Sequence, residues 1–153
     1  MTKAAALHQF FNTAIHITLK DSGLTEESFK KLSKEKQEEL WNGGYMRFYT
    51  TTSVPDDVIL PYGTYELITN AWEDGPVGLT VNLWYRTTSE AIPNAKAQEL
   101  SEAIGYGGKM LQCDGGYIWL KRGSPWCQSL TDETDQNIKR RYINVTAEYM
   151  TLN

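Results

Sequence analysis

The stretch 79–104 constrains the fold of this chain more than any other part of the sequence. Over 77–86, apolar residues alternate with polar or aromatic ones, a pattern typical of a strand with one face on a core. Apolar side chains at helical spacing follow directly and end at Gly105. The stretch therefore predicts a half-buried strand that leads into an amphipathic helix beginning near 89–93.

A tight hairpin is predicted by Asp114–Gly115–Gly116, which separates β-prone segments at 109–113 and 117–121. The polar residues 122–137 that follow predict an exposed loop with an aromatic tip. Alternating side chains over 138–150 then predict a long final strand.

Two helical regions are predicted before the first strand. Apolar residues at helical spacing over 3–19 indicate a helix whose apolar stripe is broader than one packing partner needs. The charge-rich segment 25–42 predicts one or two short surface helices, with Thr25 and Ser33 as N-caps.

The order of helix, strands, helix and strands predicts an α+β fold. Its expected form is a mainly antiparallel β-sheet packed against the N-terminal helix and a central helix, with 25–42 as a charged helical insertion. Further β-prone segments at 45–52 and 64–70 contribute strands. At 153 residues, the chain is expected to form a single domain over 1–153.

Composition narrows the classes of function. A net charge of −4 with a pI near 5.2 argues against a general DNA or RNA binder, although basic groups at 121–122 and 139–141 leave nucleic-acid contact as a minor alternative. Nine Tyr and five Trp favour a protein that associates with other proteins. No window approaches the ~18 apolar residues of a membrane span, and the residues after Met1 lack the apolar core of a signal peptide, so no membrane association is expected.

Catalytic chemistry is not indicated by the sequence. His8 and His16 are separated by more than two helical turns and rotated by about 80°, so they cannot act as a close pair on one helix. Cys113 and Cys127 fit neither a disulfide framework nor a metal-site spacing, which favours a reducing cytosol or a particle assembled there. Acidic residues at 132–135 lack the spacing of a calcium loop. We therefore expect no enzyme, no cofactor and no metal site.

A protein interface is the expected functional site. Trp126 is its main candidate, because Pro125 stiffens the surrounding loop and lowers the entropy lost on binding. The alternative is that Trp126 folds back onto its own core. The other candidates lie on the first helix, before a strand and in the same loop. The full set is Phe10, Ile17, Tyr62, Arg122, Ser124, Pro125 and Trp126.

Residues 59–150 resemble the tail terminator (tail completion) proteins of long-tailed bacteriophages. The segment 25–42 is longer than the usual connection between first helix and sheet in that family. The segments that carry the resemblance are PYGTY at 61–65, LTVNLWYR at 79–86 leading to NAKAQELSEAI at 94–104, DGGYIWLKRGSPW at 114–126 and RRYINVTAEY at 140–149.

The resemblance implies a structural virion protein. Such a protein forms a ring, usually a hexamer, that caps the head-proximal end of the tail tube, terminates tail polymerisation and joins tail to head. The implied partners are further copies of the chain, the major tail tube protein and a head-completion or connector protein. The resemblance also implies a lumen through which DNA can pass without specific binding. The implied location is the virion tail, assembled in the cytoplasm of the host bacterium.

Three other functions remain as alternatives. A head-closure (stopper) or neck connector protein shares the setting and the small size. A carbohydrate-binding module is suggested by aromatic residues on a β-rich scaffold. An enzyme is the least supported alternative, since no base, nucleophile or metal constellation can be assembled from the sequence.

Overall fold

The protein forms a mixed β-sheet with helices packed on one face. This architecture confirms the α+β prediction. The computed structural model describes residues 1–66, 75–131, 134–135 and 137–151. Within these ranges the helices are α1 (Lys3–Phe11), α2 (Leu19–Ser22), α3 (Glu26–Lys30), α4 (Lys34–Trp41) and α5 (Ala91–Ile104), with a 3-10 turn at Asn42–Gly44. The strands are β1 (Phe48–Thr50), β2 (Tyr62–Tyr65), β3 (Pro76–Arg86), β4 (Lys109–Cys113), β5 (Gly116–Thr131) and β6 (Ile138–Thr151).

The strand order across the sheet is β1-β2-β3-β6-β5-β4. β1 and β2 are parallel, and every other pair of neighbours in this order is antiparallel, so the prediction of a mainly antiparallel sheet is confirmed. β6 lies between β3 and β5, and it pairs with β3 over the whole length of β3. The last strand of the chain is therefore central in the sheet, and β1 and β4 are its edges.

Alternation along the central strands puts one face of the sheet into the core. The α1 side chain of Phe11 stacks on this face, with its ring centroid 4.8 Å from Tyr65 and 5.4 Å from Phe48. The buried residues of the core come from α1, α5 and the sheet, and they include Leu7, Phe11, Leu100, Ile104, Leu79, Val81, Leu83, Tyr85, Ile118, Leu120, Ile143 and Val145.

The first helix ends at Phe11, so the prediction of a helix over 3–19 is wrong beyond that residue. At Asn12, just after the helix, the side chain forms two hydrogen bonds with the backbone of β1. Its Oδ1 accepts from the N–H of Phe48 at 2.8 Å, and its Nδ2 donates to the Phe48 carbonyl at 3.3 Å. Residues 15–17 then pair through backbone hydrogen bonds with the chain that precedes β1. These long-range bonds replace the i→i−4 bonds of a continued helix.

The charged segment 25–42 forms two short helices, as the sequence predicts. Thr25 caps α3, with its Oγ1 accepting from the N–H of Ser28 at 3.1 Å. Ser33 caps α4, with its Oγ accepting from the N–H of Lys36 at 3.2 Å. Local capping chemistry therefore fixed both helix starts.

The hairpin between β4 and β5 is confirmed, with Gly115 of its turn at a φ of 81°. The exposed loop predicted for 122–137 is wrong, because β5 continues to Thr131. Residues 127–131 pair with β6, which satisfies the backbone groups of a segment whose composition resembles a loop. Only residues 123–126 leave the ladder, as a bulge between the two paired parts of β5.

Some predictions fall partly outside the described residues. The strand predicted over 64–70 is described as far as Glu66, and β2 ends at Tyr65. Residues 132–133 and 136 of the predicted loop also lie outside the described residues.

Candidate protein interface

The face of the sheet opposite the core, called the polar face below, carries polar and aromatic side chains. They alternate with the core residues along β3 and β6 and remain partly accessible. The register places Trp84 of β3 between Arg140 of β6 and Tyr62 of β2. Three strands therefore bring these three side chains side by side.

An aromatic ladder crosses the polar face from Arg140 through Trp84 and Tyr62 to Tyr49 of β1. The guanidinium carbon of Arg140 lies 5.2 Å from the centroid of the Trp84 ring. The rings of Trp84 and Tyr62 stack at 6.2 Å and 16°, and Tyr62 meets Tyr49 edge-on at 6.1 Å. The indole N–H of Trp84 donates to Oγ1 of Thr64 at 3.3 Å, so a polar bond also fixes the ring.

A second cation–aromatic pair lies on β5. The ammonium group of Lys121 sits 4.1 Å from the centroid of the Trp119 ring. It also forms an ion pair with Glu148 of β6 at 3.5 Å. Each cation–π contact at such accessible positions contributes on the order of 0.5–1 kcal/mol.

These contacts hold aromatic and arginine side chains in fixed positions on the polar face. Trp, Tyr and Arg are the residue types that dominate binding energy in protein interfaces. Because neighbouring rings already hold Trp84 and Arg140, less side-chain entropy would be lost if a partner docked there. The polar face is therefore the candidate for a protein interface.

The tyrosines of the ladder remain protonated. Burial raises the pKa of Tyr62. Burial, with the hydrogen bond to Glu39 as the next cause, raises the pKa of Tyr49 far above its usual value. The Tyr49 hydroxyl donates to Oε1 of Glu39 at 2.6 Å, which links the ladder to α4.

Tyr62, which the sequence predicts as an interface residue, lies on the polar face in β2, next to the edge strand β1. Arg122, Ser124, Pro125 and Trp126 lie together in and beside the β5 bulge. Arg122 donates to Oγ of Ser101 on α5 at 2.9 Å, whereas Ser124 and Pro125 are exposed. The Pro125 carbonyl accepts from the side-chain amide of Asn144 at 2.8 Å, which anchors the bulge to β6.

The expectation that Trp126 lies at the tip of an exposed loop is wrong. It is half-buried and packs against the core cluster, as the alternative for this residue proposed. Its indole N–H is buried without a hydrogen-bond partner among the described residues. Cys127 rejoins the ladder opposite Ile143, on the core side of the sheet. Strand alternation alone would place Trp126 on the other face, so its packing against the core depends on the bulge.

Phe10 and Ile17 are 9% and 4% exposed, so the broad stripe expected on the first helix is mostly buried in this chain. Phe10 still lines a groove of about 320 Å³ between α1 and β4. Ile17 donates its N–H to the Gly44 carbonyl at 2.9 Å, in the strip beside β1. An interface role for these two residues stays a prediction.

Sequence reasoning did not include four residues of the candidate interface: Trp84, Trp119, Lys121 and Arg140. One signal was present for Trp84, which occupies a polar-face position in an otherwise alternating strand. A large aromatic at such a position covers no core of its own chain. The pairing of Trp84 with Arg140 could not be found in this way, because it depends on the register between β3 and β6.

The two histidines of the chain contact different residues in the structure. His8 contacts the Tyr65 hydroxyl at 3.3 Å, whereas His16 pairs with Glu99 at 3.0 Å. Burial raises the pKa of the Cys127 thiol. Within the described ranges no group of three or more His, Cys, Asp or Glu side chains is arranged to hold a metal ion.

Comparisons with known proteins found no match to this chain among protein-family models, curated proteins or solved structures. In the part of the chain that the structure describes, no helix combines the length and hydropathy needed to cross a bilayer.

Proposed function

We propose that this chain is a tail terminator protein, a structural subunit that forms a ring on the head-proximal end of a bacteriophage tail tube. In that role it stops tube polymerisation and provides the surface to which the head-completion protein attaches. The proposal joins the sequence resemblance to one structural observation, the preorganised aromatic ladder on the polar face.

The ladder supports this role because it extends across four strands, from β6 through β3 and β2 to β1. A ring subunit must contact a protein cylinder over a wide area, and fixed aromatic and arginine side chains suit such contacts. Arg140 and Lys121 lie over the rings of Trp84 and Trp119. A sugar would need those ring faces, so this arrangement favours a protein partner over a carbohydrate.

Ring closure requires a heterologous contact, in which two different surfaces of neighbouring copies meet and the rotation between them closes. The proposal assigns the polar face to the tube, so the contact between neighbouring copies uses other surfaces. The charged helices α3 and α4 carry exposed Glu26, Glu27 and Lys31. We expect the charged helices to lie on the outside of the ring, where solvated charge costs least.

Electron microscopy of headless tail tubes incubated with the purified chain tests the proposal. We expect added ring density at one end of each tube. Trp84→Ala should reduce the fraction of decorated tubes at least tenfold, because it removes the centre of the ladder. Gln98→Ala changes an exposed residue of α5 and should leave decoration unchanged.

The location of the protein separates a terminator from a stopper. A terminator remains on tails that are purified without heads, whereas a stopper remains on heads purified without tails. Bare tubes at every protein concentration, or decoration that survives Trp84→Ala and fails with Gln98→Ala, would contradict the proposal.

A further inference from the structure

The charged helix α4 reaches the aromatic ladder through one of its two charged sides. Glu35 and Glu38 are exposed, whereas the side chains of Lys36 and Glu39 are only 24% and 22% exposed. Lys36 and Glu39 are three residues apart and therefore share one side of the helix. This side faces β1, where Oε1 of Glu39 accepts a hydrogen bond from the Tyr49 hydroxyl at 2.6 Å.

A lysine fixes the orientation of the Glu39 carboxylate. The ammonium group of Lys36 lies 3.2 Å from Oε2 of Glu39 and 2.7 Å from Oδ2 of Asp57. It also donates to the Asp57 carbonyl at 2.9 Å, so the loop before β2 anchors it from the other side. One oxygen of Glu39 therefore binds the ammonium group, and the other is left for Tyr49.

The hydroxyl bond matters because the space around Tyr49 is open. A cavity of about 520 Å³ lies between α4 and β1, and Glu39, Tyr49 and Asp57 are among the residues that line it. Packing on this side therefore does not fix the Tyr49 ring. On the other side Tyr49 meets Tyr62 edge-on at 6.1 Å, and Tyr62 stacks on Trp84. The hydrogen bond to Glu39 thus fixes the end of the ladder.

We propose that Glu39 is a positioning residue for the polar face. By holding the Tyr49 hydroxyl, it keeps Tyr49, Tyr62 and Trp84 in one arrangement, so α4 sets how firmly the face binds its partner. Rings that are ordered before docking lose less entropy on binding. The inference rests on the proposed function for the identity of the partner, whereas the arrangement of the rings can be measured in the free chain.

Substitutions at Glu39 test the contribution to binding. Glu39→Ala removes the acceptor and should weaken binding to headless tail tubes about fivefold, the size expected when one more side chain must be ordered on docking. Glu39→Gln keeps an acceptor oxygen and should bind nearly as wild type does. Glu38→Ala removes the same charge from an exposed position of α4 and is the matched control. Electron microscopy across protein concentrations measures the decorated fraction, and circular dichroism confirms folding.

A double-mutant cycle tests whether Glu39 acts through Tyr49. Tyr49→Phe removes the hydroxyl and should weaken tube binding by a factor similar to that of Glu39→Ala. Adding Glu39→Ala to Tyr49→Phe should then cause no further loss, because the two substitutions remove one interaction. Losses that multiply in the double variant would overturn the positioning role, since Glu39 would then act by another route.

The free chain provides a readout that needs no tube. The indole N–H of Trp84, which donates to Thr64, has an NMR chemical shift that senses the neighbouring Tyr62 ring. Glu39→Ala and Tyr49→Phe should both move this signal, and Glu38→Ala should leave it in place.

The two readouts separate this inference from the proposed function. An indole signal that responds as expected, with tubes that stay bare, would contradict the proposed function and support the positioning role. Tubes that bind Glu39→Ala as tightly as wild type, or an indole signal that Glu39→Ala leaves unchanged, would overturn the positioning role alone.

Discussion

Gly63 of β2 lies directly beneath the ring of Phe48, where an added Cβ would be 2.2 Å from the nearest ring carbon. The Phe48 ring is held on its other side by Phe11, at 5.4 Å between centroids. The sequence predicts a strand from Thr64, whereas β2 begins at Tyr62 and includes Gly63. The need for glycine arises from the parallel pairing of Phe48 with Gly63, a long-range register that a local pattern does not contain.

Gly63→Ala should therefore lower the free energy of unfolding by about 1–3 kcal/mol, the usual cost of overpacking a core. Urea denaturation measures this change. Gly78→Ala is the matched control in β3, because its added Cβ would have no atom within 4 Å, and it should change stability by less than about 0.5 kcal/mol. Equal effects of the two substitutions would show that the Phe48 ring can move aside.

Trp126→Ala should lower the free energy of unfolding by about 2–3 kcal/mol, because the half-buried ring packs against the core. Ser124→Ala changes an exposed residue of the same bulge and should be nearly neutral. Thermal and urea unfolding provide the comparison. If Trp126→Ala kept wild-type stability and weakened only the binding of a partner, the inward packing of this ring would be contradicted.

At the scale of elements, local patterns predicted what local interactions determine. The strand β3, the helix α5 and the caps of α3 and α4 follow from alternation, helical spacing and N-cap side chains. The end of α1 and the length of β5 do not, because Asn12 bonds to Phe48 and residues 127–131 pair with β6. Phe48 lies 36 residues from Asn12, and the β6 partners of residues 127–131 are residues 143–139, so neither pairing is contained in the local pattern of the segment it corrects.

An ion-pair cluster joins α2 to α5 and makes stability depend on pH. Lys96 pairs with Asp21 and with Glu99, each at 3.1 Å, and its side chain is 12% exposed. Burial alone would raise the pKa of both carboxyl groups. Hydrogen bonds outweigh it, from Thr18 and Lys96 to Asp21 and from His16 and Lys96 to Glu99, and hold each pKa below its ordinary value.

Because these pKa values are lower in the folded chain than in the unfolded chain, their stabilising contribution is complete above the unfolded values near 4. It is lost as the pH falls from there through the lower folded values. Lys96→Met should be less stable than wild type at pH 7 and should lose less stability on acidification to pH 3. Lys20→Met, at an exposed position of α2, should follow the wild-type curve. Urea unfolding at several pH values measures the slopes, and parallel curves for wild type and Lys96→Met would contradict this assignment.

At the scale of the whole molecule, the polar face holds fixed aromatic and basic groups in partly accessible positions. The aromatic content of the sequence predicts association, and the structure places Tyr62 on the polar face, within β2. Its role in an interface stays a prediction. The rest of the ladder depends on how four strands align, so the sequence pattern could not assemble it.

Association into a closed ring is the central claim, and native mass spectrometry of the chain, alone and released from tail tubes, tests it most directly. We predict one oligomer with a fixed number of subunits, six by the family resemblance, in the sample released from tubes. Monomers and dimers alone in both samples would contradict the account.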